Sequence, residues 1–307
     1  MNLVQPNPKA ADHQKEPLII ATMAIMREIP KSFSNGLTTQ NLGKPDYDLI
    51  KEQQRSAIGA LSQLGVKTLL LPADEKNPDS QFPRDTVLSY NGVMFNLNPG
   101  SPSRNNEVQI NTSDIKSAGF QVETVKYGDS AFIEGGDILA FDSQHLVIVG
   151  MSGQSQNVRT NKAGVDALAS VLRSIDPDVT VIAVPHKGQN GQPYGVLHLE
   201  TGMTPLTWQQ ALCDPQCHVE WEKAYYPLQN SEKLILPPWH VNTLTSDEGY
   251  AAHVLPINGG VIIAKGYPTV KQMADASYST VIEVDMSEAR KMDGSLRCWT
   301  ILHNEKR

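Results

Sequence analysis

The feature that most constrains the fold is a recurrent unit in which two short apolar strands and a tight turn precede a helix and a further strand. In one copy, strands over 138–141 and 146–149 precede a helix over 161–175 and a strand over 180–184. Short strands that alternate with single helices are typical of α/β proteins. Copies with little sequence identity predict a structural repeat inside one domain.

Other parts of the chain show the same order of short strands, turns and helices, in whole or in part. Near the C-terminus, strands over 253–257 and 261–264 flank Asn258-Gly259-Gly260, and a helix over 269–276 leads to a strand over 279–284. The N-terminal half is predicted to hold a strand over 18–23, a helix over 46–64 capped by Asp46, a strand over 66–71, and a hairpin of strands over 86–90 and 93–97 joined by Asn91-Gly92.

Composition and charge exclude several classes of function. The net charge is −7 and no long basic run occurs, so the chain lacks the clustered Lys and Arg that nucleic-acid binding needs. No apolar run is long enough to span a membrane. No glycine-rich loop follows the first strand, which disfavours a dinucleotide-binding fold. We therefore expect neither nucleic acid nor a membrane as a partner.

Cysteine usage and the N-terminal residues indicate a cytoplasmic protein. Three cysteines do not make a disulfide framework, and the N-terminus has neither the basic region nor the apolar stretch of a signal peptide. Residues 1–16 are polar and are predicted to be a disordered tail, while residues 17–307 are predicted to form a single domain. The oligomeric state, including a homodimer, is left open.

Two residues are candidates for nucleophilic chemistry. Cys298 falls in the last predicted strand, where a lone cysteine is more often part of the core. His198 lies in an apolar stretch that predicts a strand with Glu200 on the same face, and a facing carboxylate can orient an imidazole and keep it basic. Taken alone, His198 is more often a hydrogen-bonded core histidine.

A second group of candidate ligands is the segment Cys213-Asp214-Pro215-Gln216-Cys217-His218. It offers two thiols and an imidazole, but the spacing is not that of a zinc knuckle and no second pair of ligands follows. A surface loop is therefore favoured over a metal site.

In combination and in this order, the segments along the chain resemble the dimethylarginine dimethylaminohydrolases, within the guanidine-modifying (pentein) superfamily that includes arginine deiminases and amidinotransferases. The resemblance extends from about residue 19 to residue 301. Its main segments are Asn35-Gly36-Leu37-Thr38, Pro78-Asp79-Ser80, Ser103-Arg104, Glu134-Gly135-Gly136-Asp137, Arg159-Thr160-Asn161, Leu197-His198-Leu199, and Arg290-Lys291-Met292-Asp293-Gly294 ahead of Cys298. The resemblance implies a five-bladed, pseudosymmetric α/β propeller in one domain.

The resemblance also implies the catalytic roles. Cys298 is expected to be the nucleophile and His198 the general acid and base. Asp85 and Glu134 are expected to bind the guanidinium nitrogens, so Glu134 counts among the catalytic residues. The substrate is a small guanidino compound, and no metal or organic cofactor is required.

Further residues are expected to bind the rest of the substrate. By resemblance, Arg104 and Arg159 hold the α-carboxylate. Asp79 and the backbone of Leu37 meet the α-amino group, with Leu37 on a mobile lid. The carbonyl of Met292 lines the site.

The implied reaction is physically coherent. Carboxylates hold the guanidinium in plane through charge-assisted hydrogen bonds, and the bound cation favours the thiolate of Cys298. Attack on the central carbon, with His198 protonating the departing amine, leaves a covalent thiouronium. Water activated by His198 then releases citrulline.

Two positions depart from the family pattern and resemble the arginine deiminases instead: Arg84 before Asp85, and Glu200 two residues after His198. Both are therefore added to the candidate substrate-binding residues. A Glu200 that reached the distal nitrogens would be left unpaired by a dimethylated nitrogen and would select arginine. Alternatively, its longer side chain crowds the site, turns away or faces solvent.

Three functions follow in order. The first is hydrolysis of methylated arginine to citrulline and an alkylamine. The second is arginine deimination, or hydrolysis or amidino transfer with another guanidine. The third is a catalytically silent arginine-binding protein, which the joint presence of Cys298, His198, Asp85 and Glu134 disfavours.

Overall fold

Five small β-sheets form the framework of this computed structural model, which describes residues 16–152, 158–188, 196–227 and 239–305. The strands are β1 (Met23–Arg27), β2 (Lys67–Leu71), β3 (Val87–Tyr90), β4 (Val93–Asn96), β5 (Val122–Glu123), β6 (Ile138–Phe141), β7 (Leu146–Ser152), β8 (Thr180–Gly188), β9 (Met203–Pro205), β10 (Gln210–Cys213), β11 (Cys217–Val219), β12 (His240–Thr243), β13 (Leu255–Ile257), β14 (Gly260–Ala264), β15 (Val281–Val284) and β16 (Ile301–His303). The α-helices are α1 (Tyr47–Gln63), α2 (Asn105–Ser117), α3 (Lys162–Ile175), α4 (Leu199–Gly202), α5 (Pro268–Ser277) and α6 (Ser287–Arg290).

One pairing rule holds in every sheet: a central strand is antiparallel to one neighbour and parallel to the other. The central strands are β1, β4, β7, β10 and β14. Parallel neighbours need a crossover connection, and α1, α2, α3 and α5 each supply one. The C-terminal strand β16 pairs with β1, so the two ends of the chain share a blade. The predicted five-bladed α/β propeller is confirmed.

Local sequence signals account for most of these elements. The Asp46 side chain accepts a hydrogen bond from the Leu49 amide at 2.9 Å and caps α1 as predicted. Asn91 and Gly92 both have positive φ values, 52° and 76°, as a tight turn between β3 and β4 requires. The other predicted hairpins and helices are present within a few residues of their expected bounds.

Three predictions of local structure are wrong. The first strand covers Met23–Arg27 and not 18–23, because Leu18 packs into a different core cluster and Asn258 hydrogen-bonds both backbone groups of Ala21. Cys298 lies in a turn before β16, and His198 precedes the single turn of α4, so neither stands in a strand. The expected disordered tail lies outside the described residues except for Glu16.

Helix α2 was not predicted, because two of its three buried side chains are polar. Asn111 is buried there and accepts hydrogen bonds from the Arg27 guanidinium, and Glu107 is buried against Arg104. Such a face gives no apolar period for a sequence pattern to register. Among the described residues, no helix is both long and apolar enough to cross a membrane.

Candidate active site

A cavity of about 160 Å³ collects most of the predicted site residues. Those on its wall are Leu37, Asp79, Asp85, Arg104, Arg159, His198, Met292 and Cys298. They come from segments spread over the whole chain, which the circular order of the blades brings to one place. Glu134 lies behind His198 rather than on the wall, so its contact with a guanidinium stays a prediction.

His198 is the centre of a buried hydrogen-bond network. Its Nε2 atom lies 2.7 Å from Glu134 Oε2, and both side chains are buried. Burial alone would lower the pKa of His198. The charge of Asp85 and the hydrogen bond to Glu134 outweigh burial and raise the pKa to about 9. The ring is therefore an imidazolium at neutral pH and can protonate a leaving amine.

The backbone around His198 is fixed by residues that the sequence reasoning did not assign. Asp137 Oδ1 accepts a hydrogen bond from the Leu199 amide at 2.8 Å, and Thr201 Oγ1 accepts one from the His198 amide at 2.9 Å. These two hydrogen bonds fix the backbone at His198, and so fix the point from which its side chain extends into the site. The only signal for Asp137 was its place in the Glu134-Gly135-Gly136-Asp137 segment.

Asp85 supplies a fixed negative charge beside the imidazolium. Its carboxylate accepts from Arg104 Nη1 at 2.6 Å and from the Gly136 amide at 3.0 Å. Burial would raise the pKa of Asp85, but the charges of Arg104 and His198 hold it below its usual range. Asp85 is therefore an anion on the cavity wall, suited to a cationic ligand.

Cys298 is the nucleophile candidate, and its thiol is protonated in the free protein. It is 6% exposed, and its Sγ atom lies 3.3 Å from Ser295 Oγ. Burial and the charge of Asp85 raise the pKa of Cys298 to about 12. A bound cation opposes both effects, so a guanidinium substrate would promote formation of the thiolate that attacks it.

The effect of a bound cation on the Cys298 thiol predicts how this residue reacts with alkylating probes. At neutral pH, chloroacetamidine, a cation, should label Cys298 about 10- to 1000-fold faster than the neutral chloroacetamide, because a nearby opposite charge lowers a pKa by 1–3 units. Labelling is followed by mass spectrometry of the Cys298 peptide. Asp85→Asn should remove most of this preference, and equal rates for both probes in the native protein would contradict it.

The two pKa values also fix the sign of the pH dependence. Productive attack needs thiolate and imidazolium together, yet the thiol pKa of about 12 lies above the His198 pKa of about 9. The fraction of the protein in the productive form then rises about tenfold per pH unit up to the lower of the two pKa values. Between the two pKa values it stays constant. We expect kcat/KM to rise with pH and to level near pH 9, at the pKa of His198. A fall between neutral pH and this value would contradict the assignment.

A metal ion is a second occupant to consider for this cluster. Ligand atoms of Asp85, Glu134 and His198 all lie within 4.8 Å of one another. The carboxylates that raise the pKa of His198 to about 9 suit a cation, and a metal ion would have to displace the imidazolium proton to bind there. Cys213 and Cys217 are free thiols at the ends of β10 and β11, and no metal-binding group including them occurs within the described ranges.

The entrance of the cavity is formed by a loop that carries Leu37. The Leu37 amide donates to both carboxylate oxygens of Asp79, at 3.0 and 3.2 Å. Asp293 accepts from the Thr39 amide and side chain and from Gln40, which fastens the loop to the Cys298 segment. Asp293 was quoted in a motif but not assigned this role.

The two arginines expected at the α-carboxylate differ in their surroundings. Arg104 is buried and already paired with Glu107 and Asp85. Arg159 is more accessible, and its Nη1 atom lies 3.3 Å from Glu134. Both line the cavity, so carboxylate binding stays a prediction for each, with Arg159 the more accessible.

Arg84 and Glu200, predicted to bind substrate, do not reach the cavity. Glu200 is buried and is not on the cavity wall, so it does not face solvent. It pairs instead with Arg84 and with Arg297. Arg84 and Arg297 line a separate cavity of about 240 Å³ that shares no wall residue with the first.

A five-bladed propeller with a cysteine, a histidine and carboxylates around one small cavity defines a guanidine-modifying enzyme. A family model described as N,N dimethylarginine dimethylhydrolase, eukaryotic, matches residues 40–211, more than half of the chain. The chain belongs to the dimethylarginine dimethylaminohydrolase family. The predicted family and enzyme class, a hydrolase acting on C–N bonds of amidines, are confirmed.

Relatives extend this finding over nearly the whole chain. The N(G),N(G)-dimethylarginine dimethylaminohydrolase of Pseudomonas aeruginosa is 28% identical over 277 residues, which cover 90% of this chain and 97% of the relative. The enzyme of that name from Streptomyces coelicolor is 27% identical and covers 91% and 95%.

Solved structures agree with the sequence relatives. A Pseudomonas aeruginosa dimethylarginine dimethylaminohydrolase with cysteine replaced by serine, complexed with citrulline, superposes with a TM-score of 0.74 at 29% identity, covering 92% of this chain and all of that one. The N-terminal domain of the arginine dihydrolase ArgZ superposes with a TM-score of 0.71 at 16% identity and shares the fold.

Proposed function

We propose that this protein hydrolyses N-omega-methylated arginine to citrulline and an alkylamine through a thiouronium on Cys298. The observation that carries the choice of substrate is the position of Glu200. The carboxylate of Glu200 lies off the cavity wall and pairs with two buried arginines, Arg84 and Arg297. It therefore does not need a hydrogen-bond donor on the distal guanidinium nitrogen. A methylated nitrogen therefore leaves no buried charge unpaired there.

The first half of the reaction forms a carbon–sulfur bond and breaks a carbon–nitrogen bond. The guanidinium binds beside Asp85 and Glu134, and Cys298 releases its proton to solvent as the cation arrives. The thiolate attacks the central carbon. His198 gives its proton to the departing methylated nitrogen, which leaves as a neutral amine.

The second half reverses these roles. Neutral His198 takes a proton from water as that water attacks the thiouronium carbon. Collapse of the tetrahedral adduct breaks its carbon–sulfur bond while its hydroxyl group loses the remaining proton to solvent, which releases the Cys298 thiolate and forms the ureido group of citrulline. Citrulline in the related Pseudomonas structure is consistent with this product.

Citrulline release from monomethylarginine, asymmetric dimethylarginine and arginine, measured side by side, tests the proposal. We expect turnover of the methylated compounds and little of arginine, with Cys298→Ser as the inactive control. Turnover of arginine alone would make the protein a deiminase. No citrulline release from any of the three compounds, together with labelling of Cys298 by chloroacetamidine, would favour another guanidine as the substrate.

Two further properties belong to the same proposal. A cytoplasmic location follows from the low cysteine count. The absence of nucleic-acid and membrane partners stays a prediction, and the oligomeric state, including a homodimer, stays open.

A further inference from the structure

Each of three catalytic segments also contributes one residue to a single buried ion cluster. Arg84 directly precedes Asp85, Glu200 follows His198 by two positions, and Arg297 directly precedes Cys298. Arg84, Glu200 and Arg297 are all buried. We call them the buried triad.

The geometry of the buried triad is specific. Glu200 Oε2 accepts from Arg84 Nε at 2.7 Å, and Glu200 Oε1 accepts from Arg84 Nη2 at 2.5 Å, which makes a bidentate pair. The same Oε1 accepts from Arg297 Nη2 at 2.5 Å and from Arg297 Nε at 3.1 Å. One carboxylate therefore cross-links segments that lie 116 and 97 residues from it in sequence.

Backbone contacts extend the cluster beyond the three side chains. Arg84 Nη2 donates to the Ile138 carbonyl at 2.8 Å, and Arg297 Nη1 donates to the Val254 carbonyl at 3.3 Å. Ile138 begins β6, and Val254 precedes β13. The buried triad thus ties the catalytic segments to the starts of two further blades.

Stability is a weak explanation for such an arrangement. Burying three charges carries a desolvation penalty that can exceed their mutual attraction, and apolar replacements of buried ion clusters are often neutral or stabilising. What the bidentate geometry does supply is a defined distance and angle between segments. In this molecule those segments carry Asp85, His198 and Cys298.

We propose that Arg84, Glu200 and Arg297 are positioning residues, which hold Asp85, His198 and Cys298 in the mutual geometry that the reaction requires. This inference rests on the proposed hydrolase function for its kinetic test. It also makes a prediction about Cys298 that needs no turnover.

That second prediction comes from the charges of the triad. Two guanidinium cations and one carboxylate leave a net charge of +1 beside Cys298. The charge of Glu200 contributes to the raised pKa of Cys298, and the charge of Arg84 interacts with that thiolate in the opposite sense. Removing Glu200's charge should therefore favour the thiolate, whereas removing Arg84's charge should oppose it.

The experiment compares Glu200→Gln with Arg84→Met. We expect Glu200→Gln to speed labelling of Cys298 by neutral chloroacetamide about tenfold, and Arg84→Met to slow it, because one pKa unit changes the thiolate fraction tenfold. Both variants should lower kcat for the methylated substrate about 100-fold with little change in KM, as misplaced reacting groups do. Unchanged kcat in both variants would overturn the proposal, and labelling that changes in the same direction in both would contradict the prediction from their charges.

A matched control and a charge-free variant complete the test. Asp114→Asn removes a carboxylate on α2 that pairs with buried Arg27 of β1, and it should lower Tm without changing kcat or labelling. The triple variant Arg84→Met, Glu200→Met and Arg297→Met should retain the fold yet lose turnover. Wild-type kcat in the triple variant would overturn the proposal. If no variant or parent turns over methylarginine, the opposite signs of labelling still decide the inference separately from the proposed function.

Discussion

We expect His198→Asn to lower kcat for monomethylarginine by about 1000-fold, within the range that general acid–base catalysis contributes. The physical reason is the imidazolium that Glu134 and Asp85 maintain, with a pKa of about 9. Asn keeps a polar group of similar reach but cannot transfer a proton in either half of the reaction. Steady-state citrulline release gives kcat, and thermal unfolding gives Tm for the same preparation.

The two halves of the reaction depend on His198 to different degrees, which mass spectrometry can separate. A substrate with a leaving group that needs no proton should still form the thiouronium on Cys298 in His198→Asn. That adduct should then persist, because no base activates water. A His145→Asn variant, altered at an exposed histidine paired with Asp176, is the control and should turn over normally. Wild-type kcat in His198→Asn would remove His198 from the mechanism.

The parts of the fold that sequence predicted are those set by local chemistry. Asn91-Gly92 specifies a turn because both residues must adopt positive φ, and Asp46 specifies a helix start because its carboxylate caps an amide. Helix α2 was not predicted from the sequence, because its buried side includes Glu107 and Asn111, whose partners lie outside the helix. Local patterns carry no information about such partners.

The candidate site shows the same contrast between residues that the sequence identifies and contacts that depend on distant segments. Residue types and their order, read through the family resemblance, identified Cys298, His198 and Asp85, and the structure brings these three to one cavity. Glu200 was misplaced, because a strand was expected where α4 begins. Its true partners, Arg84 and Arg297, are distant in sequence, and a buried ion cluster becomes visible only when the blades are assembled.

The tight packing around His198 leads to the second large effect, which we expect from Gly136→Ala. Added at Gly136, a methyl group would collide with the His198 ring and come within 3.1 Å of Asp85 Oδ1. Backbone strain does not enter, because the φ of Gly136 is not among the positive values. The imidazole must shift, and a displacement of about 1 Å can reduce catalysis about 100-fold. Measured kcat should fall accordingly while the far-UV circular dichroism spectrum stays unchanged. Gly59→Ala on α1 is the matched control, since its new methyl group meets no atom within 4 Å and should stabilise the helix without altering kcat. Equal kcat for both alanine variants would show that the position of the His198 ring does not limit the reaction.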